Sequence, residues 1–254
     1  MLRSLRTIIA SSKTRSSTNQ PRRSGSSGSG GITRTGRRLG DRDKFFREAK
    51  AEGYVARSAF KLKEIQDKHK IIPPGGTVLD LGCHPGAWLQ VACQSLGPKP
   101  KGGLVLGIDL QETEAPKQYC DDRVRIIQAD ATTLPLSFWD EHAPGGFHCV
   151  LSDMCHWTMG NSSDAFKSLQ LARTAFIIAI GADSNSGDSG GVLKSGGNLV
   201  MKILQGEGTQ EFAAELKVEF EKVAWVRPSA TRKESKEVFL LGLKRRKKGI
   251  VDSC

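Results

Sequence analysis

Thr77-Val78-Leu79-Asp80-Leu81-Gly82-Cys83-His84-Pro85-Gly86-Ala87-Trp88 decides the fold. Its first five residues are a short apolar run bounded by glycine, the pattern of a strand buried on both faces. Pro73-Pro74-Gly75-Gly76 stops whatever precedes it, and residues 86–95 read as a helix. A strand passing through a glycine turn into a helix is half of a crossover unit, so the pattern of the whole chain becomes the question.

Outward from that stretch the alternation continues. Apolar runs predict strands over 104–108, 124–128, 147–152, 198–204, 223–226 and 237–243. Helical spacing predicts helices over 58–68 (with Phe60, Leu62 and Ile65 inward), 163–180 and 209–220. Strands alternating with helices predict an α/β fold, a mostly parallel sheet with helices on both faces. About ten residues rich in Lys, Ser and Arg join the last two strands, too few for a parallel crossover, so that pair is expected to be antiparallel. Residues 183–191, nearly all Gly, Ser, Asp and Asn, read as a surface loop.

Composition bounds the function classes. The chain has 254 residues, 38% apolar and 26% charged, which suits a globular protein. Its longest apolar stretch, residues 175–180, falls far short of the ~20 needed to cross a bilayer. Cysteines 83, 93, 120, 149, 155 and 254 form no C-x-x-C pair, so neither a disulfide scaffold nor a zinc ribbon is expected. The net charge of +11 is uneven: residues 1–40 hold nine Lys/Arg and no acid, and 244–254 hold five against Asp252. Residues 41–243 are then near neutral, with 24 basic and 26 acidic side chains. Basic arms mean an address signal, a nucleic-acid contact, or both.

The first arm has the composition of a transit peptide, Ser- and Arg-rich and free of acids. Leu2, Leu5, Ile8 and Ile9 share one helical face, with Arg3, Arg6 and Lys13 on the other. This start favours a mitochondrion over a plastid; a retained, disordered RNA-binding arm is the other reading. Residues 24–31 are a Gly/Ser linker. The expected organisation is 1–40 transit peptide and linker, 41–243 one catalytic domain, 244–254 a basic tail.

Ligands of open α/β sheets bind beyond the carboxyl ends of the strands. There lies the loop holding Gly82 and Gly86, which is no P-loop because no Gly-Lys-Ser/Thr follows. Asp109 ends the second strand and suits two ribose hydroxyls; Asp130 follows the third and suits an exocyclic amine. Either alone would more often be a turn or cap aspartate. Together the three loops point to a nucleoside site. Lys202 lies inside the apolar strand Leu199-Val200-Met201-Lys202-Ile203-Leu204, where a lysine is rare unless its stem snorkels out. Asp153 follows the fourth strand, Glu237 starts the last, and Lys61 sits on the first helix. Each alone reads as an ordinary cap or surface charge.

Five segments in order resemble the FtsJ family of ribosomal RNA 2′-O-ribose methyltransferases. They are Arg57-Ser58-Ala59-Phe60-Lys61-Leu62-Lys63-Glu64-Ile65, Val78-Leu79-Asp80-Leu81-Gly82 with Pro85-Gly86-Ala87-Trp88, Ser152-Asp153-Met154, Val200-Met201-Lys202 with Gln205-Gly206-Glu207-Gly208, and Arg232-Lys233-Glu234-Ser235-Lys236-Glu237-Val238. The last is similar to the mitochondrial branch. The resemblance covers residues 41–243 and implies a Rossmann-like methyltransferase sheet, S-adenosylmethionine as cofactor, and a catalytic tetrad at Lys61, Asp153, Lys202 and Glu237. It implies cofactor contacts at Gly82, Gly86, Trp88, Asp109, Asp130 and Asp153. The substrate it suggests is a uridine of organellar large-subunit rRNA, free or in a pre-ribosomal particle, acted on by a monomer without metal or membrane. Two departures stand out: Cys83-His84 replaces two small residues, and Cys155-His156-Trp157 follows Ser152-Asp153-Met154 where the family has Ala-Pro. Cys149, Cys155 and His156 lack the spacing of a tetrahedral metal set. Rival readings are an mRNA cap 2′-O-methyltransferase, which needs an aromatic cage that 6% aromatics hardly furnish, and a non-catalytic ribosome assembly factor.

In this chemistry Lys202 is the expected base for the 2′-hydroxyl proton, Asp153 orients it, and Lys61 with Glu237 positions the hydroxyl. Burial and Lys61 push the Lys202 pKa down, Asp153 and Glu237 push it up, and sequence does not set the balance. Without residues 1–40 the chain is only +2, from 29 basic against 27 acidic residues. RNA contact then falls to local patches: Arg42, Lys44, Arg47, Lys50 and Arg57; Arg227, Arg232, Lys233 and Lys236; and 244–248.

Overall fold

A computed structural model describes residues 44–156, 162–181 and 191–247. The elements in order are α1 (Lys44–Ala51), α2 (Ala59–His69), β1 (Thr77–Leu81), α3 (Ala87–Ser95), β2 (Leu104–Asp109), β3 (Val124–Gln128), α4 (Leu136–His142), β4 (Phe147–Ser152), α5 (Ser162–Ile180), β5 (Leu193–Leu204), α6 (Thr209–Glu219), β6 (Phe220–Val226) and β7 (Glu237–Arg245). The transit-peptide and linker segments, Arg42, Trp157, most of the 183–191 loop and the tail from Lys248 lie outside the described residues.

The strands form one sheet in the order β3-β2-β1-β4-β5-β7-β6. β1, β2, β3, β4 and β5 pair in parallel, and β7 runs antiparallel to both β5 and β6. The expected α/β class and the antiparallel final pair are thus present. Strand order reverses between β1 and β4, which opens a crevice at their carboxyl ends.

Strand alternation sorts the core into two layers. Leu79, Leu106, Val150, Leu199 and Met201 pack with Phe176 of α5 and Phe212 of α6 on one face. Val78, Val105, Leu151, Val200 and Phe239 pack with Leu62 and Ile65 of α2 and Trp88, Leu89 and Ala92 of α3 on the other. Side chains two residues apart in a strand share a face. Asp80 therefore follows Val78, Lys202 follows Val200, and Glu237 precedes Phe239, all toward the α2 and α3 layer. Lys61 reaches the same layer from α2.

Several boundaries differ from expectation. β6 begins at Phe220, which the sequence gives to the end of the preceding helix. β5 begins at Leu193 because Leu193 pairs with Phe147 across a bulge, although Ser195-Gly196-Gly197 reads as a turn. The short helices α1 and α4 escape a periodicity that needs longer windows. The last strand runs to Arg245, which sequence assigns to the basic tail; its guanidinium is buried and donates to the carbonyls of Ala179, Ile180 and Leu193. Arg245 thus closes the end of α5 and is withdrawn from the basic surface.

Candidate active site

The glycine loop after β1 is shaped by close approach. Gly82 has φ 79°, and a Cβ there would lie 2.9 Å from the Met154 backbone. Gly86 has φ 102° at the start of α3, where a Cβ would meet Pro116 at 2.7 Å. Left-handed backbone and no room for a side chain together require glycine at both positions. The Gly82 amide donates to the Ile108 carbonyl and the Asp153 amide to the Leu81 carbonyl, so the three loops after β1, β2 and β4 are tied at one edge.

Asp109 stands at the end of β2, its carboxylate accepting from the amides of His84 (2.9 Å) and Gln111 (2.8 Å). Those bonds fix its orientation beside the glycine loop. Asp130 accepts from the Thr132 amide (2.9 Å) and hydroxyl (2.7 Å), which hold its carboxyl below the usual carboxylate range. That is the geometry of a turn aspartate, and the residue is exposed at the crevice. Trp88 contributes differently. Its side chain is buried, its indole N–H donates to the Ser58 carbonyl at 3.0 Å, and its ring lies 5.6 Å from that of Phe239. Its ring pins the start of α2 to β7.

The four charged residues form two pairs. Lys202 Nζ lies 2.8 Å from Asp153 Oδ1 and donates to the Asp153 carbonyl at 2.5 Å. Lys61 Nζ lies 2.5 Å from Glu237 Oε1 and 5.9 Å from the centroid of Phe239. Both ammonium groups are buried, with side-chain exposures of 8% for Lys202 and 11% for Lys61. Register explains how β5 and β7 bring them near each other. Lys202 is paired with Phe239, and Glu237 sits two residues along β7 on the same face. Burial lowers the Lys202 pKa, but the Asp153 carboxylate, Cys155 and Glu237 outweigh it and hold the ammonium above its ordinary range. The sequence left that balance open.

One acid of this edge is not among the residues expected there. Asp80 is fully buried and neither carboxyl oxygen meets a hydrogen-bond partner within the protein. Burial, then Asp153 and Asp109, push its carboxyl far above the usual range. The available signal is an acid inside the apolar run Thr77–Leu81, one residue before the glycine turn.

Among the described residues that depart from the family pattern, Cys83 alone is packed into the core. Cys83 is buried against Gly107, where burial pushes its thiol up, and His84 is exposed, its ring nitrogen 3.1 Å from the Thr113 hydroxyl. Cys155 is exposed, and His156 Nε2 lies 3.4 Å from Asp164. Among the described residues no group of three or more His, Cys, Asp or Glu is placed to hold a metal ion, and no helix is long and apolar enough to cross a membrane.

Basic side chains border this edge. Arg57, just before α2, is half-buried; burial and then the neighbouring Arg232 pull its guanidinium down, against Glu237 and Glu234. The two guanidinium groups are thus close enough to act on one another electrostatically. Lys44, Arg47 and Lys50 of α1 continue the basic sequence on one side, and exposed Lys233 and Lys236 on the other.

The family model described as FtsJ-like methyltransferase matches residues 54–245. A protein of Desulfosudis oleivorans named ribosomal RNA large subunit methyltransferase E is 39% identical over 83% of this chain and 94% of its own length. One of the same name from Bdellovibrio bacteriovorus is 38% identical over 81% of this chain and 97% of its own. A solved structure from Plasmodium falciparum superposes with a TM-score of 0.60 at 22% identity, covering 77% of this chain and 100% of that one, and shows the shared fold.

Proposed function

The chain belongs to the FtsJ-like methyltransferase family, and on that premise we propose that it transfers a methyl group from S-adenosylmethionine to a ribose 2′-hydroxyl of large-subunit ribosomal RNA. The observation that carries this reading is the pair of buried ion pairs, Lys202–Asp153 and Lys61–Glu237, at the edge where the glycine loop opens. Relatives at 38–39% identity, named ribosomal RNA large subunit methyltransferase E, support the substrate class.

The crevice fits the cofactor. A nucleoside that is also an amino acid presents ribose hydroxyls, an ammonium and a carboxylate. Asp109 stands where it can take the ribose hydroxyls, and Gly82 and Gly86 leave room for close backbone approach. The orphaned Asp80 carboxyl awaits a cationic donor, which the ammonium supplies directly or through water. Asp130, exposed at the third loop, suits the adenine amine, and Asp153 and the Trp88 backbone complete the wall.

When bound, the cofactor supplies an electrophilic sulfonium methyl, so the protein's task is alignment and removal of one proton. Lys61 and Glu237 hold the 2′-hydroxyl between donor and acceptor. Lys202 would take its proton onto Nζ as that oxygen exchanges hydrogen for the methyl group. Lys202 must first lose the proton that Asp153 stabilises in the free protein. A second positive charge brought beside it favours that loss.

Arg57, just before α2, and exposed Arg232, five residues before Glu237, suit the phosphates next to the acceptor ribose, because a guanidinium pairs a phosphate through charge-assisted hydrogen bonds. Few aromatics are available for stacking, which favours a folded rRNA or a pre-ribosomal particle over a free strand. We further propose a uridine as target, a monomer as the working form, and residues 1–40 as an address to the mitochondrion, on the basis of their acid-free composition. Incubation of the protein with labelled cofactor and large-subunit RNA, followed by nucleoside analysis, tests the activity. A labelled 2′-O-methyluridine is the expected product; label on a base, or binding without transfer, overturns it.

A further inference from the structure

Ten residues join β6 to β7, and their folding is organised by one side chain. The Arg227 guanidinium donates through Nη2 to the carbonyls of Arg232 (3.1 Å), Lys233 (3.1 Å) and Ser235 (2.7 Å), and through Nη1 to that of Glu237 (3.4 Å). Four carbonyls converging on one planar group turn the segment around it, leaving the side chains of Arg232 and Lys233 exposed. The Ser235 hydroxyl accepts from the Glu237 amide (3.1 Å), and the Gln205 amide donates to the Lys236 carbonyl (2.9 Å).

The same segment is fastened to α2. Glu64 Oε2 accepts from the Ser229 amide (2.8 Å) and hydroxyl (2.7 Å). Glu64 lies three residues after Lys61, on the same helix. The Lys61–Glu237 pair is thus bracketed: one member sits on the helix that holds Ser229, the other on the strand whose first carbonyl meets Arg227.

We propose that Arg227 and Glu64 form a clasp that positions Glu237 against Lys61 and fixes the outward display of Arg232 and Lys233. They are positioning residues, acting through Glu237 and the segment before it. This rests on the methyl-transfer reading of the site. It assigns work to two residues outside the tetrad. It also explains why a basic, hydrophilic connection is held in one shape: the side chains offered to RNA and the carboxylate that orients the acceptor belong to one rigid unit.

The test uses the full chain with Arg227→Lys, Glu64→Ala and Glu237→Gln. Lysine keeps the charge but cannot spread planar donors over four carbonyls. Arg227→Lys should slow single-turnover transfer at saturating RNA by about tenfold or more, as misplacement of a positioning group does. Cofactor affinity measured by calorimetry should stay unchanged. In a Glu237→Gln background the same substitution should change the rate by less than about twofold, because the two act through one path. Hydrogen exchange should quicken at the Ser229, Ser235 and Glu237 amides in both clasp variants while β1 stays protected. Equal losses in the two backgrounds, unchanged exchange, or faster exchange at full rate would each overturn the clasp. If the native chain itself transfers no methyl group, the functional reading fails, and the exchange data still decide whether the clasp holds the segment.

Discussion

Replacing Asp80 by asparagine should make the free protein more stable at neutral pH. The carboxyl is fully buried, unpartnered, and held far above its ordinary value of 3.8 by burial, Asp153 and Asp109. In the unfolded chain it is ionised at pH 7; folding requires it to take up a proton or to bury an unpaired charge. Either outcome is unfavourable, on the scale of several kcal/mol for a charge buried without a partner. Asparagine keeps the shape and avoids that cost, while its amide remains unpartnered like the acid it replaces. The expected gain is on the order of 1–3 kcal/mol at pH 7. An acid with a raised pKa removes stability as pH climbs above its unfolded value, so the gain should fade toward zero near pH 4. Urea unfolding of both proteins at the two pH values measures it. The same substitution should weaken cofactor binding by about 1–3 kcal/mol through loss of a charged acceptor. A variant that is no more stable than the native chain at pH 7, or whose advantage is the same at pH 4, refutes the reasoning.

The raised Lys202 pKa makes the free base scarce at neutral pH, so the logarithm of the single-turnover rate should climb with unit slope from about pH 6 to 9; a flat profile would remove Lys202 as base. By linkage its ion pair with Asp153 stabilises the fold at all pH values below the ordinary lysine value and is lost only as pH rises through the folded one. Asp109→Ala should weaken cofactor binding by about 1–3 kcal/mol, the scale of lost hydrogen bonds to a charged group, and an unchanged dissociation constant by calorimetry takes Asp109 out of the site. Neutralising Arg232 and Lys233 together should raise the Michaelis constant for RNA and lessen the salt slope by about 2; normal binding at every salt concentration means RNA approaches from elsewhere.

The centre of the sheet is legible because β1, β2 and β4 are buried on both faces and read as apolar runs. The antiparallel β7 followed from the length of one connection. What escaped depended on distant partners. The first residues of β5 look like a glycine turn until Phe147 pairs with Leu193. Arg245 looks like part of a basic tail until the end of α5 supplies carbonyls to it. Within the site, Lys202 is conspicuous as a cation in an apolar strand, whereas Asp80, equally anomalous, passes as part of the buried run Thr77–Leu81. The motif marks Trp88 as a cofactor contact and says nothing of its ring's part in packing α2 on β7, which depends on Phe239 far along the chain. Arg227 and Glu64 carry no local signal, since both are charges in hydrophilic surroundings and only the folded loop brings carbonyls and Ser229 to them.

If Lys202 is the base for methyl transfer to a ribose hydroxyl of large-subunit RNA, its loss must show in single-turnover transfer from labelled cofactor to that RNA, with the native chain compared to Lys202→Ala. The native chain should give labelled 2′-O-methyl nucleoside, and the variant should lose about 10²–10⁴-fold in rate with cofactor affinity largely retained. A variant that transfers at near the native rate, or a native chain whose label never reaches a ribose, contradicts it.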